Sequence, residues 1–431
     1  MKLLLRKDVF SWALYDFANT IYSMNVVSLY FPLWITSNLG GSDLVVSVAN
    51  SASMLLVALT LPVIGVFSDA LGNRKGYLFG FTLSCVIAVA LIGVLASFSV
   101  PVSSALLFGT VLYIVANYLY NGGLVFYNSL LPGLVDWGRI GRVSGFGVSL
   151  GYLGSIFGML FVMPFNTGTI FGYPLPAWLA GGREKTFIPT AILFLLFSLP
   201  IFIFVKEKRI KKTPPRETVW SAFAKLWETL KDTAGYPGIR RFLVAKFFYE
   251  DAIATAIIFM AVYAEKVMGL PDRSKIAFFV VATVGAALGS LFGGILVDSF
   301  SPKRVLRASL VGWILCLLVL VVSRDRFVFW IIGAFIGTFL GWTWTSARPL
   351  LLELSPPETV ARFFGLYSFS GKLAAILGPL IWGLIVKFLS PYGVLFAYRI
   401  AVLFLALMIG VGLLILDRLK LPKVSSGIAD K

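Results

Sequence analysis

Twelve long apolar runs, separated by short polar stretches, constrain this sequence more than any other feature. Each run is close to the ~20 residues that a helix needs to cross a bilayer. A water-soluble chain of 431 residues could not bury a composition that is 58% hydrophobic and only 13% charged. We therefore predict an all-α polytopic membrane protein. The predicted spans are 10–36, 44–67, 77–98, 102–127, 143–165, 187–205, 242–264, 276–298, 305–323, 327–350, 363–388 and 393–416.

Two internal repeats predict that the twelve transmembrane helices form two six-helix, pseudo-symmetric bundles. The loop 65–75, with its glycines, its acid and its two cations, returns at 294–304. A second pattern, Arg-Val-Ser-Gly at 142–145, returns as Arg-Phe-Phe-Gly at 362–365. Both repeats keep the chain direction, so the halves are parallel repeats related by an axis along the membrane normal. The predicted domains are residues 1–205, a polar linker at 206–241, and residues 242–431.

Lysine and arginine are concentrated in alternate loops. If the N-terminus lies inside, the inner segments hold most of them, and this bias places both termini in the cytoplasm. The net charge of +17 then needs no nucleic-acid partner. We expect a multi-pass protein of a bacterial inner membrane. The linker predicts an amphipathic helix on the inner leaflet, either as a lipid sensor or as a tether. Its apolar face would comprise Trp220, Phe223, Leu226, Trp227 and Leu230.

The loop 65–75 resembles the signature loop of the major facilitator superfamily. More narrowly, residues 12–19, 142–154 and 363–373 resemble the family of the yeast vacuolar amino-acid effluxer linked to autophagy, which also has bacterial members. This resemblance implies a secondary transporter that works by alternating access, and the yeast member implies export of amino acids. The intramembrane arginine that the superfamily carries on helix 4 has no counterpart here, which argues against an arginine-assisted proton antiport.

Polar side chains share one face of span 1 and one face of span 4. The polar side chains of span 1 cover an arc of roughly 160° around the helix. Such a wide polar arc cannot face lipid and needs a water-filled cavity or other polar helices. Asp16 is a candidate proton-binding group. The alternative is that Asp16 belongs to a fixed ion pair that holds helices together. Amides and phenols can bind a polar solute without net charge, or can join neighbouring helices. The candidate binding residues here are Asp16, Asn19, Tyr22, Asn117, Tyr120 and Asn121.

The second half carries candidate charges in spans 7, 10 and 11. Glu250 and Asp251 could bind a cation or a proton, or form a hydrated helix end with Lys246 as their partner. Trp342 and Arg348 could hold an anionic or aromatic substrate, or anchor the helix at the interface. Lys372 lies deep in span 11, where its side chain can snorkel only part of the way to water.

Lys372 therefore needs an acid or a substrate anion as its partner. Asp16 and Asp251 are the candidate acids. A site that holds both an acid and a cation would suit an amino-acid zwitterion, and it would also suit the headgroup of a lysolipid.

The repeated loops predict an inner gate made of Asp69, Arg74, Asp298 and Arg304. Each acid can accept bonds from amides at the start of a helix in the other half, which would bias one conformation. The alternative is that these residues only stabilise their turns. Rows of glycine in spans 5 and 8 predict close helix packing at the boundary between the halves, and not a dimer.

These features predict a secondary active transporter for a small polar or zwitterionic, amino-acid-like solute. Coupling to H⁺ or Na⁺ is a hypothesis. The alternatives are a transporter or flippase of a lysolipid or another amphiphile, and a non-transporting receptor or scaffold. The sequence has no histidine, phosphate-binding loop or metal cluster, so we expect no enzyme, no cofactor and no bound metal. We expect a monomer in the lipid bilayer.

Overall fold

The structure is a computed structural model that describes most of the chain. The described residues are 3–71, 73–98, 100–135, 140–170, 172–207, 224, 227–228, 230–356 and 360–421. Within these ranges the side chains of 61–71, 140–142 and 360–362 are not described.

Twelve long helical segments make up almost all of the described chain, which confirms the predicted all-α class. Helix α1 runs from Lys7–Tyr22 through Ser23–Tyr30 and Phe31–Leu33 to Trp34–Asn38. The others are α2 (Asp43–Leu71), α3 (Arg74–Ser97), α4 (Val102–Leu134), α5 (Ile140–Thr167), α6 (Phe187–Phe204), α7 (Pro237–Lys266), α8 (Asp272–Ser299), α9 (Pro302–Val322), α10 (Arg326–Leu354), α11 (Val360–Leu389) and α12 (Val394–Asp417). Ten of the twelve are long and apolar enough to cross a membrane.

The two remaining helices, α1 and α7, carry predicted site residues. Two stretches of α1, Ser23–Tyr30 and Trp34–Asn38, are π-helical, a geometry often found at functional sites. Helix α7 contains Lys246, Glu250 and Asp251, which lower its apolar character. Helix α1 is thus interrupted by π-helical stretches, and α7 carries three charged side chains in its interior.

The helices form two bundles of six with the same pattern of contacts, as the repeats predict. In the first bundle α1 packs on α5 and α6, α4 packs on α2 and α3, and α3 packs on α6. In the second bundle α7 packs on α11 and α12, α10 packs on α8 and α9, and α9 packs on α12. Between the bundles, α2 packs on α11 and α5 contacts α8.

We name the two ends of the molecule by their loops. The distal face holds the loops at 39–42, 168–186, 267–271, 323–325 and 390–393. It includes a two-stranded ribbon, β1 (Thr169–Ile170) and β2 (Tyr173–Pro174), in which Thr169 is opposite Pro174. The terminal face holds the start of α1 and the end of α12. In the predicted orientation the terminal face is cytoplasmic.

The glycine rows of spans 5 and 8 lie elsewhere than predicted. A Cβ at Gly154 would be 2.3 Å from the carbonyl oxygen of Phe17 on α1, and one at Gly289 would be 2.4 Å from that of Thr338 on α10. The rows therefore bring helices together within each bundle. The boundary between α5 and α8 is bridged by Tyr152 and Ser290, whose hydroxyl oxygens are 3.1 Å apart.

The domain boundaries at 205 and 242 stay predictions. Helix α7 begins at Pro237, before the predicted start of span 7, because an apolar window marks the part of a helix in the bilayer and not the whole helix. On the predicted amphipathic face of the linker, Trp220, Phe223 and Leu226 lie outside the described residues. The side chains of Trp227 and Leu230 are exposed.

Candidate functional site

Helix α11 of the second bundle bends where it packs against α2 of the first. Ala375 has φ −82° and ψ 18°, which are not helical values. The cause is Pro379, which has no N–H to donate to the carbonyl of Ala375 four residues earlier. Two side chains of α2 donate hydrogen bonds to backbone carbonyls at the bend. Asn50 Nδ2 donates to the Ala375 oxygen at 3.1 Å, and Ser51 Oγ donates to the Ile376 oxygen at 2.7 Å.

The bend is also held from within the second bundle, by Asp251 of α7. Its Oδ1 accepts a hydrogen bond from the backbone N–H of Gly378 at 2.8 Å. Asp251 is completely buried, and its Oδ2 has no hydrogen-bond partner among the described residues. The geometry makes Asp251 a cap for a broken helix, a role that the sequence did not predict.

Lys372 lies one turn before the bend and bonds across the interface. Its Nζ donates to Asn121 Oδ1 of α4 at 2.6 Å. Asn121 Nδ2 is 3.1 Å from Asn117 Oδ1, and Asn117 Nδ2 is 3.3 Å from Asn50 Oδ1. Since Asn50 donates to Ala375, the chain of bonds returns to α11. Neither predicted acid is the partner of Lys372; a neutral amide is.

Charged side chains of both signs lie around Lys372. Lys246 of α7 is only 1% exposed, forms an ion pair with Glu250, and has its Nζ 4.1 Å from the centre of the Tyr367 ring. Arg348 of α10 is exposed, and its charge acts on both Asp16 and Lys246. Because Asp16 belongs to the first bundle and the cations belong to the second, the charges face one another across the interface.

Asp16 and Lys246 occupy equivalent places in the two bundles. A Cβ built on Gly151 of α5 would lie 3.2 Å from Thr20 and 3.8 Å from the carboxyl carbon of Asp16. The equivalent Gly371 of α11 faces Lys246 Nζ at 2.9 Å. The pseudo-symmetry therefore places an acid on α1 where α7 has a base. The sequence analysis named Lys246 only as a partner of the neighbouring acids, although the repeat could have identified it.

The other predicted residues of the first bundle supply polar atoms without partners. Asn19 and Tyr22 are buried, and neither Asn19 Nδ2 nor the Tyr22 hydroxyl has a hydrogen-bond partner in the described part of the chain. The rings of Tyr22 and Tyr120 are 4.5 Å apart. Buried polar atoms are usually satisfied, so unpartnered ones beside a charged site are suited to a polar solute.

Trp342 packs where α8 meets α10. Its ring is 5.6 Å from that of Phe339, and its side chain would contact a Cβ at Gly293 at 3.0 Å. Arg348 lies further along the same helix. Arg348 thus interacts electrostatically with Asp16 and Lys246. Trp342, in contrast, lies at a helix-packing contact.

The predicted inner gate is described only in part, since the side chain of Asp69 lies outside the description. Asp298 and Arg304 are exposed. The backbone N–H of Arg74 donates to Glu207 at 2.8 Å, and its Nη1 donates to the Ser129 oxygen at 2.8 Å.

The lysines of the two repeated loops have matching partners. Lys75 Nζ donates to the oxygens of Phe202 and Val205, both at 3.0 Å, at the end of α6. Lys303 Nζ donates to the oxygens of Asp417 and Leu419, at 3.1 and 2.6 Å, at the end of α12. Lys75 therefore corresponds to Lys303, not to Arg304 as the sequence alignment of the loops had it.

An ion network joins the bundles at the distal face, and the sequence analysis missed it. Arg183 Nη2 of the first bundle is 2.5 Å from Glu265 Oε2 and 2.8 Å from Asp272 Oδ1 of the second. Lys275 pairs with both acids, and Asn166 Nδ2 donates to Asp272 at 2.6 Å. Nothing in the sequence indicates these pairings, because Arg183 and Lys275 resemble ordinary cations of outer loops.

The distal face is thus closed by bonds between the bundles. Further bonds there link Asp43 of α2 to Trp382 Nε1 and the Tyr398 hydroxyl, both at 3.0 Å. A polar cavity of about 370 Å³ lies beside Arg183.

Comparison with known sequences identifies relatives along most of the chain. The family described as "Vacuole effluxer Atg22 like" matches residues 44–426. The MFS-type transporter YxiO of Bacillus subtilis is 30% identical over 385 residues, which is 86% of this chain and 86% of YxiO. Autophagy-related protein 22 of Kluyveromyces lactis is 24% identical over 331 residues, 68% of this chain and 64% of its own length.

Solved structures share the fold. A variant of the nucleoside transporter NupG superposes with a TM-score of 0.75 at 11% identity, over 95% of this chain and 98% of NupG. The xylose transporter XylE from E. coli, in an inward-open conformation, has a TM-score of 0.71 at 12% identity, over 97% of both chains. This likeness confirms the predicted two-bundle architecture of the major facilitator superfamily.

Proposed function

This chain belongs to the family of Atg22-like vacuole effluxers, and we propose that it transports a small zwitterionic, amino-acid-like solute. It is a multi-pass membrane transporter of the major facilitator type. The observation that supports the solute class is the division of charge at the centre, with Asp16 in one bundle and Lys372, whose partner is a neutral amide, in the other. Lys246 of the second bundle is already paired with Glu250. A zwitterion carries one charge for each side.

The solute would lie between the bundles, near the middle of the membrane. Its carboxylate would bind Lys372, because a charged acceptor forms stronger bonds with an ammonium than the amide oxygen of Asn121 does. Its ammonium would face Asp16. The unpartnered polar atoms of Asn19 and Tyr22 would bind its remaining polar groups.

Transport would proceed by rocking the bundles about this site. The distal network closes one side, so the centre is reached from the terminal face. With both termini in the cytoplasm, the closed distal face would make this an inward-facing state, and the membrane would be the plasma membrane of a bacterium. Asp69, Arg74, Asp298 and Arg304 would close the terminal face in the opposite state. The relatives' description as transporters gives no support to the alternative of a non-transporting receptor or scaffold.

Binding of the solute can be tested with the purified full-length chain. A thermal-shift screen of amino acids, peptides, sugars and lysolipids should show stabilisation by amino acids. Replacing the cation in Lys372→Met should weaken that binding about tenfold or more, since hydrogen bonds to charged groups contribute roughly 1.5–3 kcal/mol. Lys387→Met, which removes an exposed lysine from the end of the same helix, is the matched control. Equal binding by both variants would refute the site.

Proton coupling through Asp16 is part of the proposal. Asp16 is a partly exposed acid whose charge interacts with Arg348, so gain of a proton would change the attraction between the bundles. In proteoliposomes, a pH gradient should drive uptake by the parent chain but not by Asp16→Asn. Uptake by that variant at the parent rate would exclude this coupling and favour Na⁺ or uniport.

A lysolipid or related amphiphile is the second candidate. It is favoured by a cavity of about 450 Å³ between α3 and α4, which has apolar side chains such as Phe81 and Leu119 and a polar end at Asn73. The same screen separates the two candidates. Stabilisation by lysolipids that is unaffected by Lys372→Met would support the amphiphile.

A further inference from the structure

We infer that Asn50, Asn117 and Asn121 are positioning residues that transmit the binding state of Lys372 to the bend in α11. This inference rests on the proposed role of Lys372 as the anion-binding group. The first support is direction. Each of the three amides accepts a hydrogen bond through its oxygen and donates through its nitrogen, so the side-chain links run from the Lys372 ammonium towards the Ala375 carbonyl. Asn121 Nδ2 also donates to the backbone oxygen of Asn117 at 2.8 Å.

The second support is the position of the two ends of this asparagine relay. Both ends, the Lys372 ammonium and the Ala375 carbonyl, lie on α11 and are about one helical turn apart. All three asparagines belong to the first bundle. A backbone carbonyl freed by a proline cannot be left unpaired inside a membrane. The first bundle thus supplies the donor that the bend requires, and the second bundle supplies the ammonium that orients the donor.

The third support is what lies beyond the bend. The following turns of α11 pack closely on α2, where a Cβ at Gly383 would be 2.4 Å from Ser47 Oγ, and Trp382 bonds Asp43. A change in the bend would therefore move the part of α11 that closes the distal interface.

The consequence is a coupling between solute and conformation. A carboxylate that binds Lys372 replaces the oxygen of Asn121, and the asparagines lose the charge that orients and polarises them. Asn50 then holds Ala375 less firmly, and the distal half of α11 is released from α2. Solute binding would in this way favour opening of the distal face.

The coupling can be measured without knowing the solute. Spin labels at Tyr173→Cys and Tyr392→Cys, two exposed distal positions in different bundles, report the opening when the buried Cys85 and Cys316 are replaced by alanine. Double electron–electron resonance on the full-length chain then gives the open and closed populations.

Asn117→Ala is the decisive variant, because among the described residues the Asn117 side chain bonds only Asn121 and Asn50 and does not touch the bend. It should raise the ratio of distal-open to distal-closed protein about tenfold, within the range of coupling found in hydrogen-bond networks. Combining it with Lys372→Met should add little more. Ser51→Ala, which also removes a bond to α11 but lies outside the relay, is the matched control and should combine additively with Lys372→Met.

Two results would overturn the inference. One is an Asn117→Ala population equal to that of the parent chain. The other is simple additivity of Asn117→Ala and Lys372→Met. If Asn117→Ala fails to fold, Asn121→Ala and Lys372→Met provide the same cycle at the other end of the relay.

A final arm separates this inference from the proposed solute class. A mixture of the twenty protein amino acids should open the distal face of the parent chain, and the corresponding amino-acid amides, which lack the carboxylate, should not. No response to the amino acids together with non-additive variants would refute the solute class and leave the relay supported.

Discussion

The distal and terminal faces use their charged residues in opposite ways. At the distal face, Arg183 of the first bundle bonds Glu265 and Asp272 of the second. At the terminal face, Lys75 and Lys303 bond the carbonyls of helices in their own bundles. Bonds between the bundles must break when the bundles rock, whereas bonds within a bundle move with it.

This difference assigns a separate task to each face. In the proposed rocking cycle, the distal ion pairs bias the equilibrium between conformations, because these bonds form only while the distal face is closed. The terminal lysines stabilise each bundle in every conformation, because they cap the ends of α6 and α12. A charged residue near a membrane surface is therefore informative only once its partner's bundle is known.

The largest expected effect comes from breaking the distal network. Arg183→Ala should shift the equilibrium towards the distal-open state by about 2 kcal/mol, roughly thirtyfold, because it leaves two partly buried acids short of a cation. The spin-label pair at Tyr173 and Tyr392 measures the shift. Arg324→Ala removes an exposed cation from another distal loop and should change nothing. An unchanged equilibrium in Arg183→Ala would end the distinction between the faces.

The sequence predicted the helices well but the pairings between bundles poorly. Apolar length fixes where a helix must cross the bilayer, and the spans agree with α1 to α12 for that reason. Arg183 and Glu265 are far apart in sequence and lie in different bundles. Periodicity within a helix carries no information about such a pair.

Within the site, the sequence identified side chains that are costly to bury or that share a helix face, such as Lys372, Asn117 and Asn121, better than isolated neutral ones. Lys372 was recognised because a cation deep in an apolar run is costly. Asn50 was missed because a single amide in a span costs little and has no pattern. Its role follows from Pro379, whose freed carbonyl can be located only when α2 and α11 are seen together.

Asp251 sharpens the comparison at the middle of the molecule, where a predicted ion- or proton-binding residue also caps a bend. Asp251→Ala should lower the free energy of unfolding by about 1.5 kcal/mol, since it leaves the buried N–H of Gly378 without an acceptor. Thermal unfolding in detergent measures this. Asp251→Asn keeps an acceptor oxygen and should retain most of the stability and the transport rate. Loss of transport in Asp251→Asn at full stability would mean that Asp251 also binds an ion or a proton.

The smallest effect is expected at the terminal face. Lys75→Ala and Lys303→Ala should each lower the stability by about 0.5 kcal/mol, the usual scale for a cation at a helix C-terminus. Neither should change the ratio of distal-open to distal-closed protein, because each lysine bonds only its own bundle among the described residues. The two variants should also behave alike, since the lysines are related by the pseudo-symmetry. A shift of the conformational equilibrium in either one would mean that the terminal lysines, like Arg183, act between the bundles.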